Sequence, residues 1–299
     1  MTLTGLYVPL VTPFDRTGAI ALPALEALAH EVLDAGASGV VALGTTAEPT
    51  SLSAIEQRAV VDVIARVCGE HSAQLLVGAN TVEQVRALDG RPEVTAALSL
   101  VPPFLRPGEA GVVAHFAALA EASSVPLVVY HVPYRTGQCL RTDTLVRLAA
   151  LDGVVGVKYA AGGIDSTVVA LLADPPSGFA VLGGDDVLIS PLLALGAQGG
   201  ILASAHFGTT RFVEMIDAWR ADDAIRGRAL GHRLAMMSNA MFAEPNPTVV
   251  KAVLHAQGRI PTPAVRLPFL PAGADTSRSA SRRVEAASEE FLRPPAPLC

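Results

Sequence analysis

Eight short apolar runs alternate with eight longer amphipathic segments through the first 222 residues. The runs are rich in Val, Leu and Ala with little polar alternation, which is typical of parallel strands buried on both faces. Candidate strands are 6–11, 39–43, 74–78, 96–101, 126–132, 154–158, 179–184 and 199–203. Candidate helices are 22–34, 53–67, 81–88, 109–123, 142–150, 163–173, 186–195 and 208–221. Eight strand–helix units in succession predict an α/β fold, the closed (β/α)8 TIM barrel.

Beyond residue 222 the strand–helix alternation stops. Helical patterns continue at 223–242, 246–257 and 276–292, separated by proline-rich links. We therefore predict a barrel over residues 1–222 and a C-terminal helical extension over 223–299, packed on the barrel or on a partner subunit. The final residues, RPPAPLC, are expected to be mobile.

Local signals predict several features of the connecting segments. Ser53 followed by Glu56 is the pattern of a helix capping box. The segment Asp89–Pro92 should end the third helix after about two turns. The stretch 187–210 carries no charged side chain, but Pro191 and several glycines interrupt it. A buried helix–turn–strand therefore fits this stretch better than a membrane span.

The composition excludes several classes of function. The chain of 299 residues has 28 acidic and 22 basic side chains, a net charge of −6, and no basic stripe, which argues against nucleic-acid binding. The N-terminus lacks the basic region of a signal peptide. Cys68, Cys139 and Cys299 are far apart and odd in number, so they indicate neither a disulfide framework nor a metal site. We expect a cytoplasmic protein.

Lysine is rare in this chain. Of the 22 basic residues only Lys158 and Lys251 are lysines. Arginine stays protonated, whereas a lysine amine can lose its proton and attack a carbonyl group. A lysine retained against this bias is a candidate nucleophile, and the alternative is that both are ordinary surface lysines.

Reactive side chains fall at the ends of predicted strands, where TIM barrels carry their active sites. Lys158 closes the sixth strand, and burial would lower its pKa toward the range of a Schiff-base amine. The alternative is a strand-end lysine paired with a carboxylate. Tyr130 closes the fifth strand and could transfer protons, although a strand tyrosine standing alone is more often part of the core.

Two further segments could bind a carboxylate. The turn Gly44–Thr46 offers hydroxyls and backbone N–H groups, although an ordinary turn is the simpler interpretation of such a segment. Arg135 follows the fifth strand and could form a two-point contact, although most loop arginines are simply solvated. Asp185 and Asp186 are weak evidence for a metal, and Asp186 is predicted to cap the helix that begins at Val187. We predict no metal site.

Taken together, the motifs resemble the dihydrodipicolinate synthase / N-acetylneuraminate lyase family of class I pyruvate aldolases, over about residues 4–290. The segments that carry the resemblance are VTPF (11–14), GTTAE (44–48), YHVPYRTG (130–137), GVK (156–158), GGDD (183–186), EPNPTVVK (244–251) and RLPFLP (266–271). The resemblance implies that Lys158 forms an imine with pyruvate and that no cofactor is needed. It also implies homo-oligomers, dimers paired into tetramers.

The resemblance further assigns roles to individual residues. Tyr130 would be the proton shuttle, Thr45 would link it to solvent, and Thr45 with Thr46 would hold the pyruvate carboxylate. Gly184 and Ile201 match positions that line the pyruvate pocket. Arg135, in the RTG of residues 135–137, matches the synthase branch, in which it binds the carboxylate of the second substrate. The implied reaction is therefore condensation of pyruvate with L-aspartate 4-semialdehyde to 4-hydroxy-tetrahydrodipicolinate, a step of lysine and diaminopimelate synthesis.

The chain departs from the family pattern after the fourth strand. Phe104 falls where a relay tyrosine is expected to reach in from the adjacent subunit. Ala47 replaces a usual glycine, and Tyr159 replaces a usual glutamate. Two alternatives therefore stay open: an aldolase or dehydratase acting on a 2-keto-3-deoxy acid, and a weakly active paralogue that binds pyruvate-like acids. Intact Lys158 and Tyr130 argue against the second alternative.

The family's lysine-inhibition site is also altered. Asn80 is present, but Ala54, Gln57 and Pro103 stand where the resemblance implies polar or aromatic ligands. We predict weak or absent inhibition by lysine, because few groups remain to bind the amino acid. An inhibition curve measured with added lysine checks this prediction, and strong inhibition would contradict it.

Overall fold

A computed structural model describes residues 3–292 of the chain. The strands are β1 Gly5–Pro9, β2 Gly39–Ala42, β3 Gln74–Gly78, β4 Val94–Leu100, β5 Leu127–His131, β6 Val154–Tyr159, β7 Ala180–Gly183 and β8 Gly199–Ile201. Neighbouring strands pair in parallel in chain order, and β8 pairs with β1 to close the barrel. The predicted TIM barrel is confirmed.

Helices follow the strands in the expected alternation. The barrel helices are α1 Leu22–Asp34, α2 Ala54–His71, α3 Val82–Arg86, α4 Gly108–Ala122, α5 Pro133–Thr136, α6 Thr142–Ala149, α7 Ser166–Ala173, α8 Ile189–Ala194 and α9 Thr209–Arg220. The extension contributes α10 Ala224–Met241, α11 Thr248–Ala256 and α12 Ala274–Leu292. The one-turn helix α5 was not predicted. The predicted mobility of RPPAPLC concerns residues 293–299, which lie outside the described range.

The barrel has two separate apolar layers, because successive side chains of a strand point to opposite faces. One layer fills the barrel interior and includes Tyr7, Leu76, Val128 and Leu182. The other lies between the strands and the surrounding helices. In β5 and β6 this alternation places Tyr130 inside the barrel and Tyr159 outside it.

The C-terminal extension packs against the outer helices of the barrel. Helix α10 lies against α9 so closely that a Cβ added at Gly227 would stand 2.7 Å from the Trp219 ring. The Trp219 indole N–H donates to the Ser190 hydroxyl of α8 at 3.0 Å. The extension therefore packs on the barrel, which is one of the two partners that the sequence suggests for it.

The third barrel helix is short, as the sequence predicts, and even shorter than the predicted 81–88. Helix α3 has five residues, Val82–Arg86, and the turn that follows it contains Gly90 with φ of 74°. A short α3 leaves a groove of about 900 Å³ beside α2, lined by Leu43, Val61, Val77 and Leu88 among others.

The stretch 187–210 forms the end of a 3-10 turn, helix α8, strand β8 and a second 3-10 turn, as predicted. No helix within residues 3–292 combines the length and the apolar character needed to cross a membrane.

The capping box of α2 yields a stability prediction. The Glu56 N–H donates to Ser53 Oγ, and the Ser53 N–H donates to the Glu56 carboxylate at 2.8 Å. Ser53→Ala removes the first bond and should lower the free energy of unfolding by about 1 kcal/mol. Ser53→Thr keeps a capping hydroxyl and is the matched control. Denaturant titration of both variants checks the prediction, and equal midpoints would contradict it.

Candidate active site

One small cavity at the carboxyl-terminal end of the strands brings the predicted site residues together. All seven line it: Thr45, Thr46, Tyr130, Arg135, Lys158, Gly184 and Ile201. They come from five different βα connections or strand ends, so the closed barrel is what assembles them. Asp186, Phe242 and Asn246 line the same cavity and were not predicted to do so.

Strand register places the Tyr130 phenol beside the Lys158 amine. The two residues are direct partners in the pairing of β5 with β6, and both point into the barrel. The Lys158 Nζ lies 4.3 Å from the centroid of the Tyr130 ring. A Cβ at Gly184 would lie 2.7 Å from Lys158 Cε, so glycine at this position leaves room for the lysine stem.

Burial governs the protonation of Lys158. Its side chain is 6% exposed, and loss of water lowers its pKa from 10.5 to about 8. The carboxylate of Asp186 opposes this shift, whereas the Arg135 guanidinium adds to it. Among the described residues no carboxylate lies within 4 Å of this amine. With this pKa about a tenth of the Lys158 side chains is uncharged at pH 7, far more than for an ordinary lysine.

The Tyr130 hydroxyl stays protonated because burial raises its pKa. Arg135 and a side-chain hydrogen bond with Thr45 oppose that shift. A neutral phenol next to an amine can donate a proton to a group formed there and take it back.

The turn after β2 carries the hydroxyls of Thr45 and Thr46. It is a 3-10 turn, Thr45–Ala47, which ends at Glu48 in the left-handed conformation with φ of 56°. The buried side chain of Thr46 accepts a hydrogen bond of 2.9 Å from the Asn246 amide. The amide oxygen of Asn246, Oδ1, is buried and has no hydrogen-bond partner among the described residues.

Arg135 reaches the cavity from the one-turn helix α5. It is exposed, and its guanidinium lies 5.5 Å from the centre of the neighbouring Tyr134 ring. An arginine at the mouth of a cavity is suited to a two-point contact with an entering carboxylate.

The prediction that Asp186 caps a helix is wrong. Its Oδ2 instead accepts hydrogen bonds from the Ser204 N–H at 2.7 Å and the Ser204 hydroxyl at 2.6 Å. Burial raises the Asp186 pKa to about 6. Asp185 accepts separately from the Gly162 N–H, and residues 3–292 contain no group of three side chains placed to hold a metal ion.

Sequence reasoning missed roles that depend on distant contacts. Asn246 lies in the EPNPTVVK segment, which carries part of the family resemblance but to which no residue role was assigned. Phe242 lines the cavity, and no sequence signal distinguishes it from other apolar residues of the extension.

Phe104 does not reach the cavity of its own chain. It lies on the loop after β4, 88% exposed, and its φ of 67° is unusual for a residue that is not glycine. The neighbouring Leu105 is 79% exposed. This loop therefore presents two large apolar side chains to the surroundings of the chain.

A closed barrel with a desolvated lysine, a buried phenol and a hydroxyl-bearing turn at its mouth defines the class of (β/α)8 enzymes that use a lysine amine. The sequence matches the model of the Dihydrodipicolinate synthetase family over residues 2–287. The chain belongs to this family.

Individual relatives agree with that membership. The chain is 34% identical to 4-hydroxy-tetrahydrodipicolinate synthase 2 of Clostridium acetobutylicum, over 91% of this chain and 96% of the relative. It is 36% identical to 4-hydroxy-tetrahydrodipicolinate synthase of Neisseria meningitidis serogroup B, over 90% and 93%. The crystal structure of the chloride-inhibited dihydrodipicolinate synthase of Acinetobacter baumannii with pyruvate has a TM-score of 0.91 at 32% identity, covering 96% and 99%.

The site predicts how Lys158 titrates. Acetic anhydride modifies only uncharged amines, so labelling of Lys158 should reach half of its maximum near pH 8, because the desolvated amine loses its proton there. Mass spectrometry of the peptide around residue 158 measures the labelling, with butylamine in the same tube as an ordinary amine. Labelling that tracks butylamine up to pH 10 would contradict the prediction.

Proposed function

We propose that this chain condenses pyruvate with L-aspartate 4-semialdehyde to give 4-hydroxy-tetrahydrodipicolinate, with pyruvate held as an imine on Lys158. Membership of the Dihydrodipicolinate synthetase family supports the reaction, because the relatives that match most of the chain carry that enzyme name. The observation that carries the chemistry is the Lys158 amine, which is desolvated in a cavity beside a phenol and pairs with no carboxylate of residues 3–292.

The first steps are formation of the imine. The uncharged Lys158 amine attacks the keto carbon of pyruvate, and the new C–N bond gives a carbinolamine. Tyr130 supplies the proton with which the carbinolamine hydroxyl leaves as water, and Thr45 returns a proton to the phenol from solvent. The roles of Tyr130 and Thr45 rest on their closeness to the amine and to each other.

The carbon–carbon bond forms in the next steps. Water takes a proton from the methyl group of the protonated imine, which gives an enamine. The enamine carbon attacks the aldehyde carbon of the second substrate, the imine re-forms, and the Tyr130 phenol gives its proton to the aldehyde oxygen, which becomes the product hydroxyl. The amino group of that substrate then attacks the imine carbon, which closes the ring and releases the Lys158 amine. The lysine supplies the electron sink itself, so this reaction requires no cofactor and no metal.

In this proposal the pyruvate carboxylate binds to the turn of Thr45 and Thr46. Hydroxyls and backbone N–H groups of such a turn suit a small anion. Gly184 and Ile201 line the same cavity, and the absence of a side chain at Gly184 leaves room for the Lys158 stem.

Arg135 is assigned to the carboxylate of the second substrate. Its guanidinium stands at the cavity mouth, where an aldehyde that carries a carboxylate would enter.

A specific observation favours a second candidate, cleavage or dehydration of a 2-keto-3-deoxy acid. Phe104 has no hydroxyl to transfer a proton, and a reaction that does not use that relay position would tolerate it.

The chain is proposed to act as a homo-oligomer, a dimer or a tetramer. The exposed pair Phe104 and Leu105 would be covered if the loop after β4 contacted a second copy of the chain.

A cytoplasmic location is proposed from the state of the cysteines, because Cys68 and Cys139 are both free thiols.

Reductive trapping tests the imine. Pyruvate with borohydride should add the mass of a reduced pyruvate adduct at Lys158 and leave Lys251 unmodified, because Lys251 is fully buried and paired. Lys158→Arg should abolish labelling and reduce turnover by about a thousandfold or more, since arginine is not a nucleophile. Peptide mass mapping and a turnover assay measure both effects.

The second substrate needs a separate assay. Turnover with L-aspartate 4-semialdehyde is compared with turnover on several 2-keto-3-deoxy acids, and the Arg135→Ala variant is included. The proposal requires activity on the semialdehyde that falls when Arg135 is lost. Turnover of a sugar acid alone would establish the second candidate, and an unlabelled Lys158 would overturn both.

A further inference from the structure

The second lysine of the chain forms a fully buried ion pair. The Lys251 side chain is 0% exposed, and its Nζ donates to Glu48 Oε1 at 2.7 Å. The same ammonium lies 4.0 Å from the centroid of the Phe14 ring. Burying two charges is costly unless both are paired and hydrogen-bonded, and a hydrophobic pair of similar volume often serves stability equally well. Stability alone therefore gives little reason for a charged pair at this place.

The position of Glu48 suggests another reason. Glu48 ends the Thr45–Ala47 turn, and its backbone is held in the left-handed conformation, which persists only when surrounding contacts enforce it. Its second carboxylate oxygen accepts from the Arg266 N–H at 2.8 Å. Both contacts of the Glu48 carboxylate therefore come from the C-terminal extension.

A third contact joins the extension to the same turn. Asn246, two residues before α11, donates to the Thr46 hydroxyl, and Lys251 lies in α11 itself. On the barrel side the Thr12 hydroxyl donates to the Ala47 carbonyl at 2.8 Å. The turn that carries the two threonines is thus held from two sides, by the segment that follows β1 and by the C-terminal extension.

We propose that Lys251, acting through Glu48, is a positioning residue that sets the place of the Thr45–Thr46 turn and thereby the affinity for the keto acid's carboxylate. The inference rests on the proposed function, in which this turn receives pyruvate. It assigns the buried ion pair to substrate binding, although neither charge touches the cavity. A misplaced turn weakens the contact to the carboxylate while leaving the Lys158 amine and the Arg135 guanidinium where they are.

The test separates pyruvate affinity from the other kinetic constants. Glu48→Gln keeps the shape of the side chain and removes its charge. We expect KM for pyruvate to rise about tenfold, with KM for the second substrate within about twofold, because the second carboxylate is assigned to Arg135 and not to the turn. The value of kcat should fall as well, because the same turn carries Thr45, the hydrogen-bond partner of Tyr130. A mutation that merely loosens the fold would raise both KM values together.

Two further variants distinguish positioning from stability. Combining Glu48→Gln with Lys251→Met removes the buried unpaired charge, so stability should return while KM for pyruvate stays high. Glu31→Gln is the matched control, because it breaks the Glu31–Arg259 pair, which joins α1 to the extension away from the turn. It should change none of the constants. The proposal is wrong if the double variant regains the wild-type KM for pyruvate. It is also wrong if folded Glu48→Gln has the wild-type KM for pyruvate.

Hydrogen exchange gives a readout that does not depend on activity. Amides of residues 44–48 should exchange faster in Glu48→Gln than in the wild type, and those of β6 should not change. If wild-type Lys158 is not trapped by pyruvate, the proposed function fails, whereas unchanged exchange at 44–48 defeats the positioning role by itself. The two failures are therefore distinguishable.

Discussion

The site depends on one register between two parallel strands inside a dry barrel. The pairing of β5 with β6 sets Tyr130 directly beside Lys158, and the two-residue period of a strand turns both side chains inward. The interior then removes water from both groups, which lowers the pKa of the amine and raises that of the phenol. A shift of one residue in either strand would place its reactive group among the outer helices, as the outward position of Tyr159 illustrates.

The C-terminal extension is part of the site as much as a cover for the barrel. Phe242 and Asn246 line the cavity, and the Ser204 hydroxyl that holds Asp186 lies 2.7 Å from the Ser238 hydroxyl of α10. The Thr45–Ala47 turn and the Asp186 carboxylate are both tied to segments beyond residue 222. The barrel carries the lysine and the phenol proposed to react, and the extension holds the turn and the carboxylate beside them.

Sequence reasoning succeeded where a signal was local. Apolar runs predict strands because both faces of a parallel sheet are buried, and Lys158 and Tyr130 could be placed together because both end adjacent strands. It failed where tertiary partners decide. Asp186 has the right spacing for a helix cap, but Ser204 offers its carboxylate two hydrogen bonds inside the core. The contacts Asn246–Thr46 and Lys251–Glu48 span 200 and 203 positions, and no pattern within a short window contains such information.

The two lysines show why burial alone does not define a nucleophile. Desolvation lowers the pKa of both amines to about 8. The Lys251 ammonium donates a hydrogen bond to Glu48 and lies against the Phe14 ring, out of contact with the cavity. Lys158 has the same tendency to lose its proton but opens into the cavity, with a phenol as its neighbour. The pairing of an amine and its access to a cavity, together with its pKa, are therefore the grounds on which Lys158 is proposed as the nucleophile and Lys251 as a positioning residue.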